Sequence, residues 1–353
     1  MIGDNDSSPW AVLRCLAFFA VFSFAIIAPL YGQHSRESPL AHEREFLSRY
    51  PLPNGISKFV EVNVDGLSIR THYSITGSGP DLLLLHGICD SLHTWEGWVS
   101  ELRSDFRLIR LDYPPFGLTD SFPDGKYSEE RMLRFLDAFL EAVEVSSPSR
   151  IAGNSLGGGI AWRYATARPH RVSQLVLIDP AGFIDGKEDL PKAIRWAENG
   201  FAASFMRKQM PRTTWKKTVR NLYGPRYTDL SSEAFEREVD RFYHLSTLPG
   251  KSSAYVDTFL SVMQLAEADS EEKIAARLSK LSIPVQLQWG EEDPWFPPYS
   301  TTDPPGHLPK WIPVLPKAPD IQVFPGVGHM PQAQIPARSA EAARNFLLGA
   351  PGQ

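Results

Sequence analysis

The stretch Ser149–Thr166, SRIAGNSLGGGIAWRYAT, decides the fold. At its centre stands Gly153-Asn154-Ser155-Leu156-Gly157, a G-x-S-x-G pattern between a short apolar run and an amphipathic segment. In that setting the pattern predicts a nucleophile elbow, a tight strand-to-helix turn that lifts a serine hydroxyl above the end of a sheet. A serine bent that sharply leaves no room for side chains two positions to either side, which is why glycine stands at both. Plain turn glycines around a serine give the same five letters, so the surrounding chain has to decide between the two readings.

Outward from the elbow, strand and helix patterns alternate. Phe59–Val64 and Leu67–Ser74 alternate in the strand manner about Asp65-Gly66, a dipeptide suited to a tight hairpin turn. Asp81–Leu85 is a continuous apolar run, as expected of a strand covered on both faces. A helix over Thr94–Leu102, a strand over Phe106–Leu111, a helix over Ser128–Val143 with Glu129 and Glu130 in its first turn, and strands at Arg150–Ala152 and Gln174–Ile178 complete the first half. This alternation predicts an α/β fold with a mostly parallel, doubly wound sheet. After Asp179-Pro180 it stops. For about a hundred residues, Gly182–Leu281, the chain reads as aromatic-rich helices broken by prolines, a helical lid inserted after strand 6. Strand periodicity returns at Val285–Trp289 and Ile321–Phe324, and a last helix runs from Ala337 to Leu348. The expected organisation is therefore an N-terminal segment 1–33, a polar linker or arm 34–57, a core in two parts, 58–181 and 282–353, and the lid 182–281 between them.

The chain has 353 residues, 42% of them hydrophobic and 22% charged, enough to bury a large core. A formal net charge of -5 without a long basic block argues against a nucleic-acid partner, whose phosphates demand clustered Lys and Arg. Cys15–Gln33 carries no charge and approaches the roughly 20 apolar residues that span a bilayer. Asp4 and Asp6 against a lone Arg14, and no clean cleavage site after Ala28, favour an uncleaved membrane anchor over a signal peptide that would leave a secreted or periplasmic enzyme. Arg36, Arg44 and Arg49 after the span weakly favour a cytoplasmic catalytic part, though the side of the membrane stays open. Two cysteines, Cys15 and Cys89, imply no disulfide framework.

A serine hydroxyl is a poor nucleophile at neutral pH, so the elbow requires a base, a group to orient it and donors for an oxyanion. His329, in the glycine-bearing loop Phe324–Pro331 after the last strand, is the candidate base. Asp293, deepest in the turn Gly290-Glu291-Glu292-Asp293-Pro294, is the candidate acid, with Asp179 at the end of the strand before the lid as its rival. Asp179-Pro180 also reads as a turn that begins the lid. Backbone amides of Leu156 and of Ile88, in Leu85-His86-Gly87-Ile88-Cys89-Asp90, are the candidate oxyanion donors. His86 precedes the glycine turn and reads as a ring packed beneath that loop, and Cys89 as a small pocket residue.

Together Leu85-His86-Gly87, Asp112–Gly117, Gly153–Gly158, Trp289–Asp293 and Gly328-His329 resemble, in order, the motifs of the α/β-hydrolase superfamily over about Phe59–Leu348. The resemblance implies a Ser155, Asp293, His329 triad, a helical lid and no cofactor or metal. Two departures stand out: Pro115 where relatives carry glycine, and the proline-rich stretch Pro297–Pro319, expected to add a wall to the pocket. Superfamily members that displace at saturated carbon use aspartate at the elbow, which Ser155 excludes. The leading reading is a serine hydrolase of carboxylic esters, lipid-like ones such as a monoacylglycerol or lysophospholipid given the span and the aromatic lid. The alternatives are a carbon–carbon bond hydrolase of ring-cleavage products, with Arg195, Arg207 or Arg212 meeting a dianionic substrate, and a catalytically inactive, membrane-tethered binding protein.

Overall fold

In the computed structural model, residues 37–145, 149–184, 190–224, 230–299 and 306–349 are described. Helix α1, Glu37–Arg49, belongs to a unit of its own, and Tyr50 onwards forms a second compact unit. The polar stretch expected as a linker or arm is thus helical over much of its length. Its run of Ala41, Glu43, Arg44, Glu45 and Leu47 favours helix, and Pro39 sits in the first turn, where no amide partner is needed. The apolar run Cys15–Gln33 lies outside the described residues, and among those described no helix is long and apolar enough to cross a membrane.

Strands β1 (Lys58–Val64), β2 (Leu67–Thr76), β3 (Asp81–Leu85), β4 (Arg107–Leu111), β5 (Ser149–Asn154), β6 (Val172–Ile178), β7 (Val285–Gly290) and β8 (Asp320–Phe324) form one sheet in the order β1-β2-β4-β3-β5-β6-β7-β8. β1 and β2 pair antiparallel across Asp65-Gly66, both in the left-handed region that a tight hairpin needs. β2 also runs antiparallel to β4, and every later pairing is parallel. The leucine run of β3 shows why the sheet is covered on both sides. Leu83 and Leu85 join the cluster under α3 (Glu129–Ala142) and α4 (Leu156–Ala167) with Phe135, Leu136 and Ala161. Leu82 and Leu84 join the opposite cluster with Trp98 and Leu102 of α2 (Glu96–Leu102) and Ala340, Ala343 and Leu347 of α13 (Pro336–Leu348). α3 is capped by the Ser128 hydroxyl, which accepts from the Arg131 amide.

On the α13 side a buried polar chain fastens β7. Trp98 Nε1 donates to Ser339 Oγ, Ser339 Oγ donates to Gln288 Oε1, and the Gln288 amide donates to Gln286 and to the Ser339 carbonyl. Gln286 continues it to Asp320 of β8 and the Ala342 carbonyl. Each buried polar group along this line finds a partner, which fixes one register for the small-residue face of α13.

Between β6 and β7 stand α5 (Lys192–Arg195), α6 (Gly200–Lys208), α7 (Arg212–Leu222), α8 (Ser232–Thr247), α9 (Lys251–Ala268) and α10 (Glu271–Leu278), the helical lid. After β7 come α11 (Leu308–Trp311) and, beyond β8, α12 (Pro331–Gln334). α9 is pinned at its start by Lys251, whose buried ammonium donates to the carbonyls of Pro115, at 2.6 Å, and Thr119. The peptide between Pro114 and Pro115 is cis. Burial lowers Lys251 to about 8. A lysine whose folded value is depressed costs stability at every pH below that value, and the cost is relieved as pH rises from about 8 to the unfolded value near 10.4. The chain's denaturation free energy is therefore expected to rise through this window by up to about 3 kcal/mol from this group. Chemical denaturation of Lys251→Met beside the unaltered chain should show the rise flattened.

Candidate active site

Ser155 sits between β5 and α4 with φ 55° and ψ −120°, a conformation that L-residues hold only under constraint. The constraint is visible. Its N–H donates to the Ile178 carbonyl of β6 at 3.0 Å, and its carbonyl accepts from the Gly159 and Ala181 amides at 2.9 Å each. A Cβ on Gly153 would strike the backbone of Gly157, and one on Gly157 the carbonyls of Leu85 and His86, so both glycines are steric necessities. The positive end of the α4 dipole lies at Ser155, where a negative charge on the reacting oxygen gains from it.

His329 follows β8 in its loop, wholly buried. Its Nδ1 lies 2.7 Å from Asp293 Oδ2. Asp293 Oδ1 accepts from the amides of Trp295, at 2.8 Å, and Phe296, at 3.1 Å. Burial raises the Asp293 carboxyl, but the charge and hydrogen bond of His329 and the two amides outweigh it and hold the carboxyl below its ordinary value. The ring packs against Trp295 and Phe296, with centroids 5.1 and 5.5 Å away. Its Nε2 is buried with no hydrogen-bond partner. Ser155, His329, Ile88, Asn154, Trp295 and Phe242 line one small cavity of about 10 Å³. A second, larger cavity of about 660 Å³ is lined by Leu156, Ile160, Met132 and Phe116 of the core and by Asp257, Leu260 and Leu265 of α9.

The structure therefore brings Ser155, His329, Asp293 and Ile88 together and sets Leu156 at the edge of the larger cavity. Asp179, the rival acid, is also there, directly beside Asp293. His86 is fully buried, stacked on Tyr113 with centroids 4.4 Å apart, and its Nδ1 pairs with the Gly87 carbonyl. Burial lowers His86 and raises the Cys89 thiol, which leaves the first uncharged and the second unreactive at neutral pH. Residues 300–305 of the proline-rich segment lie outside the described residues. Of its described residues, 297–299 and 306–319, none lines either cavity, and Trp311 packs edge-on against Trp162 and Phe183.

Two supporting residues escaped the sequence. The Asn154 amide donates to the carbonyls of Ile178, at 3.2 Å, and His329, at 3.0 Å, tying the elbow to the histidine loop. Its place inside the pentapeptide was the available signal. Arg241 of α8 is buried and donates to Asp90 at 2.5 Å and Ser91 Oγ at 2.8 Å, in the loop that carries Ile88, while Glu238 takes its second nitrogen at 2.7 Å. Burial alone would lower this guanidinium, but Asp90 and Glu238 raise it well above its ordinary value. Nothing near Arg241 in the sequence marks it.

A doubly wound sheet with a serine at the elbow after β5, an aspartate–histidine pair on the loops after β7 and β8, and a lid after β6 defines a class of hydrolytic enzyme. The chain belongs to the α/β hydrolase fold family, whose model matches residues 80–334. It is 28% identical over 269 residues to the pimeloyl-[acyl-carrier protein] methyl ester esterase of Nitrosomonas europaea, an alignment covering 75% of this chain and 94% of that one. It is 26% identical over 285 residues to the 2-hydroxymuconate semialdehyde hydrolase of a Pseudomonas species, covering 80% and 92%. Among solved structures, a membrane phospholipase A described as a bacterial virulence factor superposes with a TM-score of 0.66 at 22% identity, covering 96% of this chain and 98% of that one.

Proposed function

We propose that this chain is a serine hydrolase of carboxylic esters with a lipid-like acyl group, working through an acyl-enzyme. Ser155 attacks the ester carbonyl, and His329 Nε2 takes its proton and returns it to the leaving alcohol. Asp293 holds the imidazole tautomer through Nδ1 and stabilises the imidazolium. The amides of Leu156 and Ile88 stabilise the tetrahedral oxyanion, and water then repeats the sequence on the acyl-enzyme. The observation that carries this reading is the Asp293–His329 hydrogen bond with Nε2 left unpartnered in the cavity that Ser155 lines. A fluorophosphonate probe tests it: the folded protein should label, and Ser155→Ala should not. A folded, unaltered chain that fails to label would favour the inactive binding protein instead.

The acyl preference rests on the larger, mostly apolar cavity between α4 and α9 and on the lid surface. There Trp196, Phe201 and Phe205 are 62%, 88% and 55% exposed, an unusual amount of aromatic surface to leave in water. Residues 15–33 would keep the enzyme at a membrane, and release of the chain by alkaline carbonate would remove that part of the proposal. Leu260→Trp, which fills the larger cavity, is expected to move the preferred acyl chain to a shorter length and to lower kcat/KM for long-chain esters by about tenfold. A chain-length series of glycerol and aryl esters measures this, and an unchanged optimum would place the acyl group elsewhere.

The Pseudomonas relative keeps carbon–carbon bond hydrolysis as a second reading. The lid arginines do not favour it. Arg207 is engaged by Asp257 and Ser253, and Arg212 by Asp240 and Glu236, so their charge is already met by carboxylates. Arg195 likewise has partners of its own. Decay of the ultraviolet absorbance of a dienoate substrate separates the two reactions.

A further inference from the structure

The mechanism leaves one buried carboxyl unused. Asp179 directly follows β6 with φ 43°, in the left-handed region and fully buried. Its backbone is held where the strand pairing leaves it, since its N–H donates to the Gln288 carbonyl of β7 at 3.0 Å. One carboxyl oxygen, Oδ1, accepts from the Gly290 amide at 3.0 Å. The other, Oδ2, is buried with no donor. An oxygen of Asp179, an oxygen of Asp293 and a ring nitrogen of His329 all lie within 4.8 Å of one another, which places the two carboxyls side by side.

Two adjacent carboxylates out of water cannot both carry charge. The surroundings decide which one does. Asp293 receives three N–H groups, from His329, Trp295 and Phe296, whereas Asp179 receives one. Among the described residues, the ionisable groups that face Asp179 are Asp293, on the loop after β7, and His329, on the loop after β8. Neither offers it a compensating positive charge, because the imidazole is already directed at Asp293.

We infer that Asp179 stands in the protein as a neutral carboxylic acid whose O–H donates to the Asp293 carboxylate, making it a positioning residue for the Asp293–His329 pair. It rests on Asp293 being the partner of His329 in the reaction proposed above. Burial and then the charge of Asp293 raise the Asp179 carboxyl well above its ordinary value, in agreement with this assignment. The O–H contact gives Asp293 a fourth donor, fixes the rotation of its carboxylate and moderates the basicity that it passes to the imidazole. The strained φ at Asp179 is the backbone cost of aiming a side chain from β6 at a loop on β7.

The first test needs no turnover and uses the full chain. In its infrared spectrum at neutral pH, where ordinary carboxyls are ionised, a carbonyl band of a protonated carboxyl that shifts in D₂O should be present. Burial also raises Asp120, so Asp120→Asn serves as the control and should leave the band in place. Asp179→Asn should remove it. Absence of any such band in the unaltered chain overturns the inference, whether or not a variant folds and whether or not the esterase reading is right. The second test is kinetic. Asp179→Asn keeps a donor toward Asp293 and an acceptor for the Gly290 amide, so kcat should stay within about threefold. Asp179→Ala should lower kcat by about tenfold to a hundredfold, with KM little changed, and should move the acidic limb of kcat/KM to higher pH as Asp293 loses its donor. Asp293→Asn should abolish turnover. If Asp179→Asn is instead as inactive as Asp293→Asn, Asp179 carries the charge and the assignment is reversed; if Asp179→Ala matches the unaltered chain, the contact positions nothing.

Discussion

Ser155→Ala is expected to lower kcat for a preferred ester by about 10⁴-fold or more while leaving the thermal unfolding midpoint almost unchanged. The size follows from the site's organisation. Without Oγ there is no acyl-enzyme, and His329 Nε2 has no protein proton to take. What remains is the field of the α4 N-terminus and the amides around the small cavity, which alone retain only a modest advantage over water. The serine hydroxyl makes no hydrogen bond on which the elbow depends, since the turn is held by the backbone of Ser155 and by Gly153 and Gly157. Stability should therefore survive the loss. Because nucleophile and base act as one unit, His329→Ala and the double variant should fall to the same residual rate. Steady-state kinetics beside a fluorophosphonate labelling control measures this, and a Ser155→Ala enzyme with full activity would remove the proposed nucleophile.

Arg241→Ala is expected to be the most damaging single change outside the reacting groups, costing about 3–5 kcal/mol of stability. The substitution leaves the buried Asp90 carboxylate facing only Ser91, in a loop whose other function is to present the Ile88 amide. An uncompensated buried charge is worse than a missing pair, so Asp90→Asn/Arg241→Met should recover much of the loss. Urea denaturation of the two variants reads the difference. Activity provides a second measurement: a loop freed from α8 should lower kcat more than it raises KM, because the oxyanion donor matters most in the transition state. Equal stability of Arg241→Ala and the unaltered chain would show that the clamp is ornamental.

The fold was legible because its signals are local. The leucine run of β3, the Asp65-Gly66 hairpin and the strand–helix alternation each fit within a dozen residues and agree with one another. The meeting of Asp293 with His329 was legible for another reason: chain order in this kind of sheet delivers the ends of β7 and β8 to the same edge as the elbow. What the sequence hid depends on long-range pairing. Arg241 and Asp90 are 151 residues apart, and no periodicity connects a lid helix to a loop after β3. Asp179 was visible only as a rival to Asp293. The sequence offers no way to see that the two carboxyls are neighbours and divide one charge between them. Helix α1 was missed because the prolines around it look like breaks, although a proline in a first turn is no obstacle. The turn of Trp311 away from the site, toward Trp162 and Phe183, depends on packing that a proline-rich composition does not reveal.

The polar chain behind β7 has a consequence for how the enzyme accommodates a substrate. β7 is anchored to α13 and β8 through Gln286, Gln288 and Ser339, and the loop that carries Asp293 grows from its end. Such a fastening makes the rear of the sheet a stationary abutment, against which a bulky acyl group cannot push. Adaptation to different guests must then be borne by the opposite bank, where α9 rests on Lys251 and α8 on Arg241, each holding the core through a few directed bonds. On the proposed reading the reacting groups are held by that fastening, and selectivity among substrates is expected to follow how far those two moorings yield.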